Sequence, residues 1–212
     1  MARVTILVPR GAEADAVRRA QTAAHVVELA PGAACASALP DFEDDETVVV
    51  MGLCGSLWRL KTGEVGIYGR VVDTNGVFDL DHRLVDEFTG ALPNATVVNA
   101  FTAKRVITTV VARTVLAQRF NADVVDMEGT HLAAALSARG VRFAMVRVVS
   151  DDASRDLPPI DHAIGADGRI QAIPVALAFA RAPLAAFAFV RDVRSSLGVL
   201  TETARAITLV AV

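Results

Sequence analysis

Two kinds of segment alternate along this chain, and the alternation limits what it can fold into. Short β-branched apolar runs occupy residues 4–8, 47–51, 65–72, 96–98, 122–125 and 143–149. Several lack the period-two pattern of a strand with one wet face. They read as strands covered on both faces, as in largely parallel sheets. Between them, residues 13–24, 110–120, 127–139 and 173–206 are alanine-rich with helical spacing of their apolar positions. Pro183 divides the last stretch into two helices, because proline lacks the amide that a helix interior needs. Strands alternating with helices predict an α/β protein: a three-layer α/β/α sandwich around a central mixed, largely parallel sheet. A chain of 212 residues suits one such domain, residues 1–212, with an apolar helical tail from about residue 172.

Composition removes several function classes. Hydrophobic residues make up 53% and charged residues 21%, too apolar a balance for disorder. A formal net charge of −3 leaves no cationic excess to neutralise phosphates, and 5% aromatics offer few stacking platforms. Nucleic acid is therefore not an expected partner. Cys35 and Cys54 are too few for a disulfide framework, and no Cys/His group has zinc spacing, so no metal is expected. The apolar run at the N-terminus is too short for a signal segment, and no charge-free apolar run reaches eighteen residues. The expectation is a cytoplasmic globular protein.

In open α/β sheets, ligands bind beyond the carboxyl ends of strands. Four strand exits carry chemistry-bearing side chains. After the first strand, Pro9-Arg10-Gly11-Ala12-Glu13 turns the chain and opens a helix with a carboxylate, which the helix dipole favours by itself. After the second, Gly52 and Gly55 in Gly52-Leu53-Cys54-Gly55-Ser56-Leu57 permit either a tight turn or close backbone approach to a ligand. The third exit, Val125-Asp126-Met127-Glu128-Gly129, enters a helix through acids that suit caps. It also suits a ribose, with the Met127 thioether on the ring face and Glu128 accepting from two hydroxyls. The fourth, Arg147-Val148-Val149-Ser150-Asp151-Asp152, precedes a long loop over 151–169, and long loops in compact domains tend to carry function. Asp151 there is either a turn former or, where burial raises its pKa toward neutrality, a general acid.

These four exits, in this order, resemble the nucleoside phosphorylase and nucleosidase superfamily. The methylthioadenosine/S-adenosylhomocysteine nucleosidases are the general template, and the likeness covers most of residues 1–155. It implies cleavage of the N-glycosidic bond of a purine nucleoside with no cofactor, inorganic phosphate being a co-substrate in phosphorolytic members. By the same resemblance, Asp151, oriented by Ser150, protonates or hydrogen-bonds N7 of the base. Glu128 holds the ribose hydroxyls, Met127 packs on the sugar, and Gly52 and Gly55 lie against the ligand. Phe101 sits where the family places residues around the base, with a plain core role as the alternative. Glu13 matches the glutamate that activates water. The phosphorolytic members carry a Gly-Asp-Pro-x-Arg turn and an arginine two residues before the glycine-rich turn. Here Pro9-Arg10-Gly11 and Val50 stand there, so both phosphate arginines are missing unless Arg10 substitutes. The family's Gly-Ile-Gly segment is reduced to Ala30-Pro31-Gly32-Ala33-Ala34.

A narrower resemblance, to the hopanoid-associated phosphorylase subgroup, rests on Asp151-Asp152-Ala153-Ser154-Arg155-Asp156-Leu157-Pro158-Pro159, on Asp167-Gly168, and on the tail with Arg181-Ala182-Pro183. It implies a lipid-linked adenosine such as adenosylhopane, within hopanoid biosynthesis. The apolar residues of 173–190, Phe187 and Phe189 among them, extend nearly all round the helix from 183 to 190. They predict core packing, a homo-oligomer contact, or contact with lipid at a membrane surface. His25, His82, His131 and His162 read as packing or surface residues. The rival from another class is a non-catalytic nucleoside-binding or scaffold protein, motivated by the shortened middle segment and by Ser56 in the glycine-rich turn.

Overall fold

The computed structural model describes residues 3–160, 179 and 182–210. Among them run eight strands: β1 (Val4–Pro9), β2 (His25–Leu29), β3 (Thr47–Ser56), β4 (Val65–Val72), β5 (Val77–Asp79), β6 (Thr96–Thr102), β7 (Val124–Asp126) and β8 (Arg142–Asp151). The helices are α1 (Ala12–Arg19), α2 (His82–Ala91), α3 (Val110–Phe120), α4 (Gly129–Ala138) and α5 (Pro183–Val210), with a short 3₁₀ segment at Gly32–Ala38. Among the described residues no helix is long and apolar enough to cross a membrane.

The sheet is mixed and largely parallel, as its sequence pattern predicts. β2, β1, β3 and β8 run side by side in parallel. β8 pairs antiparallel with β4, and β4, β6 and β7 continue in parallel. β5 closes a hairpin on β4. The sequence does not foretell that the sheet also closes on itself. β1 covers one edge of β3 only from Thr47 to Val50. The far end of that edge is open, and Gly55 and Ser56 take β7 there, antiparallel to Val125 and Val124. Thus β3, β8, β4, β6 and β7 form a ring. A register shift at Cys54/Gly55 in the β3–β8 ladder bends β3 where the ring closes.

Residues 48–51 of β3 and 144–151 of β8 are buried without interruption, as strands covered on both faces should be. α5 packs on β8, β3 and α1, and α2 joins the same layer through α5. α4 packs against β4, β6, β8 and the 3₁₀ segment. The sequence reading passes over β2, β5 and α2. β2 is a half-exposed edge strand, and β5 has only three residues, both weak patterns. The hairpin turn does carry its signal at Asn75-Gly76, where Asp73 Oδ1 accepts from both amides. α2 is capped by Asp81, which accepts from the Arg83 amide. Of the tail, residues 173–178, 180 and 181 lie outside the described residues, as do His162, Asp167 and Gly168. α5 begins at Pro183, where a first-turn proline costs no helix hydrogen bond.

α4 begins at Gly129 rather than at Met127. A Cβ on Gly129 would lie 2.7 Å from Val71 Cγ2, 2.8 Å from Asp126 Oδ2 and 2.9 Å from Thr102 Oγ1. Glycine here lets the α4 N-terminus sit against β4 and β6. Gly129→Ala is expected to destabilise the fold by about 1–3 kcal/mol through overpacking. The measurement is urea unfolding, with the midpoint falling and the slope unchanged. An unmoved midpoint would mean that α4 can shift away freely.

Candidate active site

The exits of β1, β3, β7 and β8 meet at one place. β7 runs against β3, yet its end still lands beside Gly55, because only the last two residues of β3 pair with it. A cavity of about 770 Å³ opens there, lined at its polar end by Glu13, Arg113, Asp126, Glu128, Ser150 and Asp151. Met127, Gly55 and Pro31 also line it. Leu157, Ile160, Phe179, Phe189, Val193 and Leu197 form an apolar wall, and the exposed Arg10 and Arg105 also line the cavity.

Beneath the polar end lies Arg147 of β8, fully buried. Its Nη2 is 3.4 Å from Glu128 Oε2 and 3.8 Å from Asp126 Oδ2. Burial works against its charge, but Glu128 and Asp126 outweigh it and raise the pKa above the ordinary arginine value. Gly52 is its partner across the β3–β8 ladder. A Cβ on Gly52 would collide with Arg147 Nη1 and lie 2.7 Å from Glu13 Oε1, so glycine is what admits both groups. Arg147 Nε and Nη1 find no hydrogen-bond partner among the described residues.

Glu13, on the first turn of α1, accepts from the Leu53 amide at 2.6 Å. Burial pushes its pKa up to about 7; the Glu128 charge adds to this, while Arg147 and the Leu53 amide hold it back. Glu128 accepts from the Gly32 amide at 2.8 Å through Oε1. Burial also raises its pKa, Arg147 opposing and Asp126 reinforcing. The shortened segment at 30–34 therefore still reaches the site, through Pro31 in the wall and the Gly32 amide on Glu128. Asp126 accepts from Thr102 Oγ1 at 2.9 Å and from the Gly129 amide at 3.1 Å, and Tyr68 donates to its other oxygen at 3.3 Å.

Asp151, at the end of β8, is held from two sides. Arg113 Nη2 of α3 donates to Oδ2 at 2.5 Å, and Ser150 Oγ lies 2.6 Å from Oδ1. Ser150 Oγ is also 3.1 Å from the Cys54 carbonyl, so its single proton has two acceptors to choose from.

The structure thus brings Glu13, Glu128, Met127, Gly55, Ser150 and Asp151 to one cavity, with Gly52 packed behind it. Gly52 and Phe101 need correction as substrate-binding residues, because neither is among the residues that line the cavity: Gly52 packs against Arg147 and Glu13, and so does not meet a ligand there, while Phe101 points elsewhere. Strand alternation turns it into a core cluster with Leu57 and Val125, where its ring lies 4.4 Å from that of Phe120. Sequence reasoning gave no role to Arg147, Arg113 or Asp126. Arg147 and Asp126 stand inside the motifs quoted above, and only their burial marks them. Arg113 carries no signal beyond being an arginine in a helix.

A family model described as the phosphorylase superfamily matches residues 10–181. No curated protein matches the chain. Among solved structures, futalosine hydrolase of Helicobacter pylori strain 26695 is similar over 97% of this chain and 97% of its own, at 11% identity and a TM-score of 0.71. The 5′-methylthioadenosine/S-adenosyl homocysteine nucleosidase of Campylobacter jejuni is similar over 97% of this chain and 99% of its own, at 13% identity and a TM-score of 0.66. The MTA/SAH nucleosidase of Streptococcus pneumoniae, in complex with 8-aminoadenine, is similar over 94% of this chain and 99% of its own, at 14% identity and a TM-score of 0.63. Identities this low speak for the fold.

The raised pKa of Glu13 has a consequence for stability. Between its unfolded value of 4.5 and its folded value of about 7, the folded chain holds a proton that the unfolded chain has lost. Stability should therefore fall as pH rises through this window. In Glu13→Gln this contribution is absent, so the stability of the wild type relative to the variant should decline between pH 5 and pH 8. Urea unfolding across the range checks it, and a flat difference would contradict the assignment.

Proposed function

Because the chain belongs to the phosphorylase superfamily, we propose that it cleaves the N-glycosidic bond of a purine nucleoside, a 5′-modified adenosine, with water as nucleophile. The observation that carries this reading is that Glu13, Glu128 and Asp151, three of the four carboxylates lining one cavity, are held by different partners. Breaking the bond leaves positive charge on the ribosyl ring and electrons on the purine. Glu128, anchored by the Gly32 amide and Arg147, accepts from the ribose 2′- and 3′-hydroxyls and lies near the developing positive charge. Met127 packs on the sugar face. Asp151, with Ser150, meets N7 of the base, either giving it a proton or holding one that has arrived there. Glu13, with a pKa of about 7, is half ionised near neutral pH and so suited to take the proton from water as it attacks C1′. No step in this scheme calls for a metal or organic cofactor.

The finer reading is a lipid-linked adenosine such as adenosylhopane. It is supported by the apolar wall of the cavity, formed by Leu157, Ile160, Phe179, Phe189, Val193 and Leu197. The two phenylalanines of the tail separate here: Phe189 lines the cavity, whereas Phe187 is 73% exposed. An apolar 5′ group running along this wall would touch Phe189 and leave Phe187 free.

The test is turnover of adenosine, 5′-methylthioadenosine and a 5′-alkyl adenosine, with and without inorganic phosphate. Free adenine and free ribosyl product, indifferent to phosphate, are expected. Ribose 1-phosphate as main product would replace water by phosphate, with Arg10 as its candidate ligand. Binding without turnover would favour the non-catalytic reading. Glu128→Gln should weaken adenosine turnover far more than 2′-deoxyadenosine turnover, and equal losses would make Glu128 structural.

For the lipid reading, burying one Phe against the substrate is worth about 1.5–3 kcal/mol, roughly ten- to a hundredfold. Phe189→Ser should cost the alkyl substrate about that factor relative to adenosine, and Phe187→Ser should not. Brisk turnover of small nucleosides with no gain from the alkyl chain would end the lipid reading.

A further inference from the structure

The geometry points to Arg113 as the positioning residue for the leaving-group side of the site, acting through Asp151. The inference rests on the nucleoside-cleaving reading above. Arg113 is 1% exposed, and its guanidinium spans four groups from three separate parts of the chain. Nε donates to the Ile107 carbonyl at 3.1 Å. Nη1 donates to the Asp152 carbonyl at 2.8 Å and to the Ser56 carbonyl at 3.3 Å. Nη2 donates to Asp151 Oδ2 at 2.5 Å. The three carbonyls fix the plane of the guanidinium. The remaining nitrogen, Nη2, faces Asp151, the carboxylate assigned above to the base.

The helix that carries Arg113 is itself tied to the loop after β8. Asp156 Oδ1 accepts from the Val110 amide at 2.7 Å, and the Leu157 amide donates to the Thr108 carbonyl at 2.8 Å. Arg113 is therefore held by its own helix and by the loop that continues from Asp151. With Arg113 on one oxygen and Ser150 on the other, the Asp151 carboxyl group cannot rotate without breaking a hydrogen bond. Its free lone pairs keep a fixed direction. Where Asp151 gives its proton to N7, the carboxylate left behind is compensated by Arg113. Where a proton is already on N7, the same carboxylate receives the hydrogen bond in the same place. In both cases Arg113 acts on the departing base only through Asp151.

A double-mutant cycle separates this role from a structural one. The full-length protein is compared with Arg113→Met, Asp151→Asn and the pair, with kcat and KM measured on the best adenosine substrate. Asp151→Asn is expected to lose roughly two to four orders of magnitude in kcat. Arg113→Met is expected to lose about ten- to a hundredfold in kcat, with a smaller change in KM, in the wild-type background. In the Asp151→Asn background the same change should cost less than about threefold. Arg113→Lys keeps a charge and one donor and should recover part of the loss. It also carries the cycle if Arg113→Met does not fold, since that variant leaves Asp151 buried without its cation. An equal kcat loss in both backgrounds would overturn the proposal and leave the nucleoside-cleaving reading standing. A wild-type protein that releases no base from any nucleoside would overturn both.

Discussion

One side of the site is organised around a buried cation, Arg147. Arg147 is fully enclosed, and Asp126, Glu128 and Glu13 gather round it. A guanidinium out of water is tolerable only with opposite charge beside it, and removing one partner of such a group costs more than the pair contributes. Here the anions outnumber the cation, so the carboxylates repel one another in a dry setting. Burial and the neighbouring Glu128 charge keep Glu13 protonated up to about pH 7, although Arg147 lies close by. The property that suits Glu13 to base chemistry near neutrality thus follows first from its burial, with Arg147 limiting the rise and Glu128 adding to it.

That arrangement also sets local backbone requirements. Arg147 is the ladder partner of Gly52, and any side chain on Gly52 would strike both the guanidinium and Glu13. Asp126 fills its acceptor sites with Thr102, Tyr68 and the Gly129 amide, which fixes where α4 starts. The ring closure of the sheet brings β7 to the end of β3, so Met127 and Glu128 line one cavity with Glu13 and Asp151. A flat parallel sheet would place the β7 exit elsewhere.

Much of this was legible in the sequence and some was not. The buried strands showed in unbroken apolar runs such as 47–51 and 143–149, because two covered faces leave no polar alternation. The strand exits showed because glycines and acids interrupt those runs. Ring closure did not show, since it depends on how far β1 extends along β3, and no residue marks that. Nor did the fate of Phe101, because its apolar character suits a base pocket and a core equally, and only the direction of its side chain on β6 decides. The shortened segment at 30–34 looked like a loss. In the folded chain it contributes a backbone amide to Glu128, and an amide leaves no trace in side-chain identity.

The two ends of the cavity differ in how their carboxylates are treated. Glu13 has one backbone donor and lies among other anions. Asp151 has a guanidinium on one oxygen and a hydroxyl on the other. Cleaving a glycosidic bond sets two unlike tasks, taking a proton from a nucleophile and holding one at a leaving base. Carboxylates serve unlike tasks when their surroundings differ, and here the surroundings come from different elements: α1 and β3 around Glu13, α3 and β8 around Asp151. The apolar wall from α5 and the loop after β8 separates neither task. Its apolar side chains make no hydrogen bond to either carboxylate, so they can be replaced to reshape the cavity without removing a partner of Glu13 or Asp151.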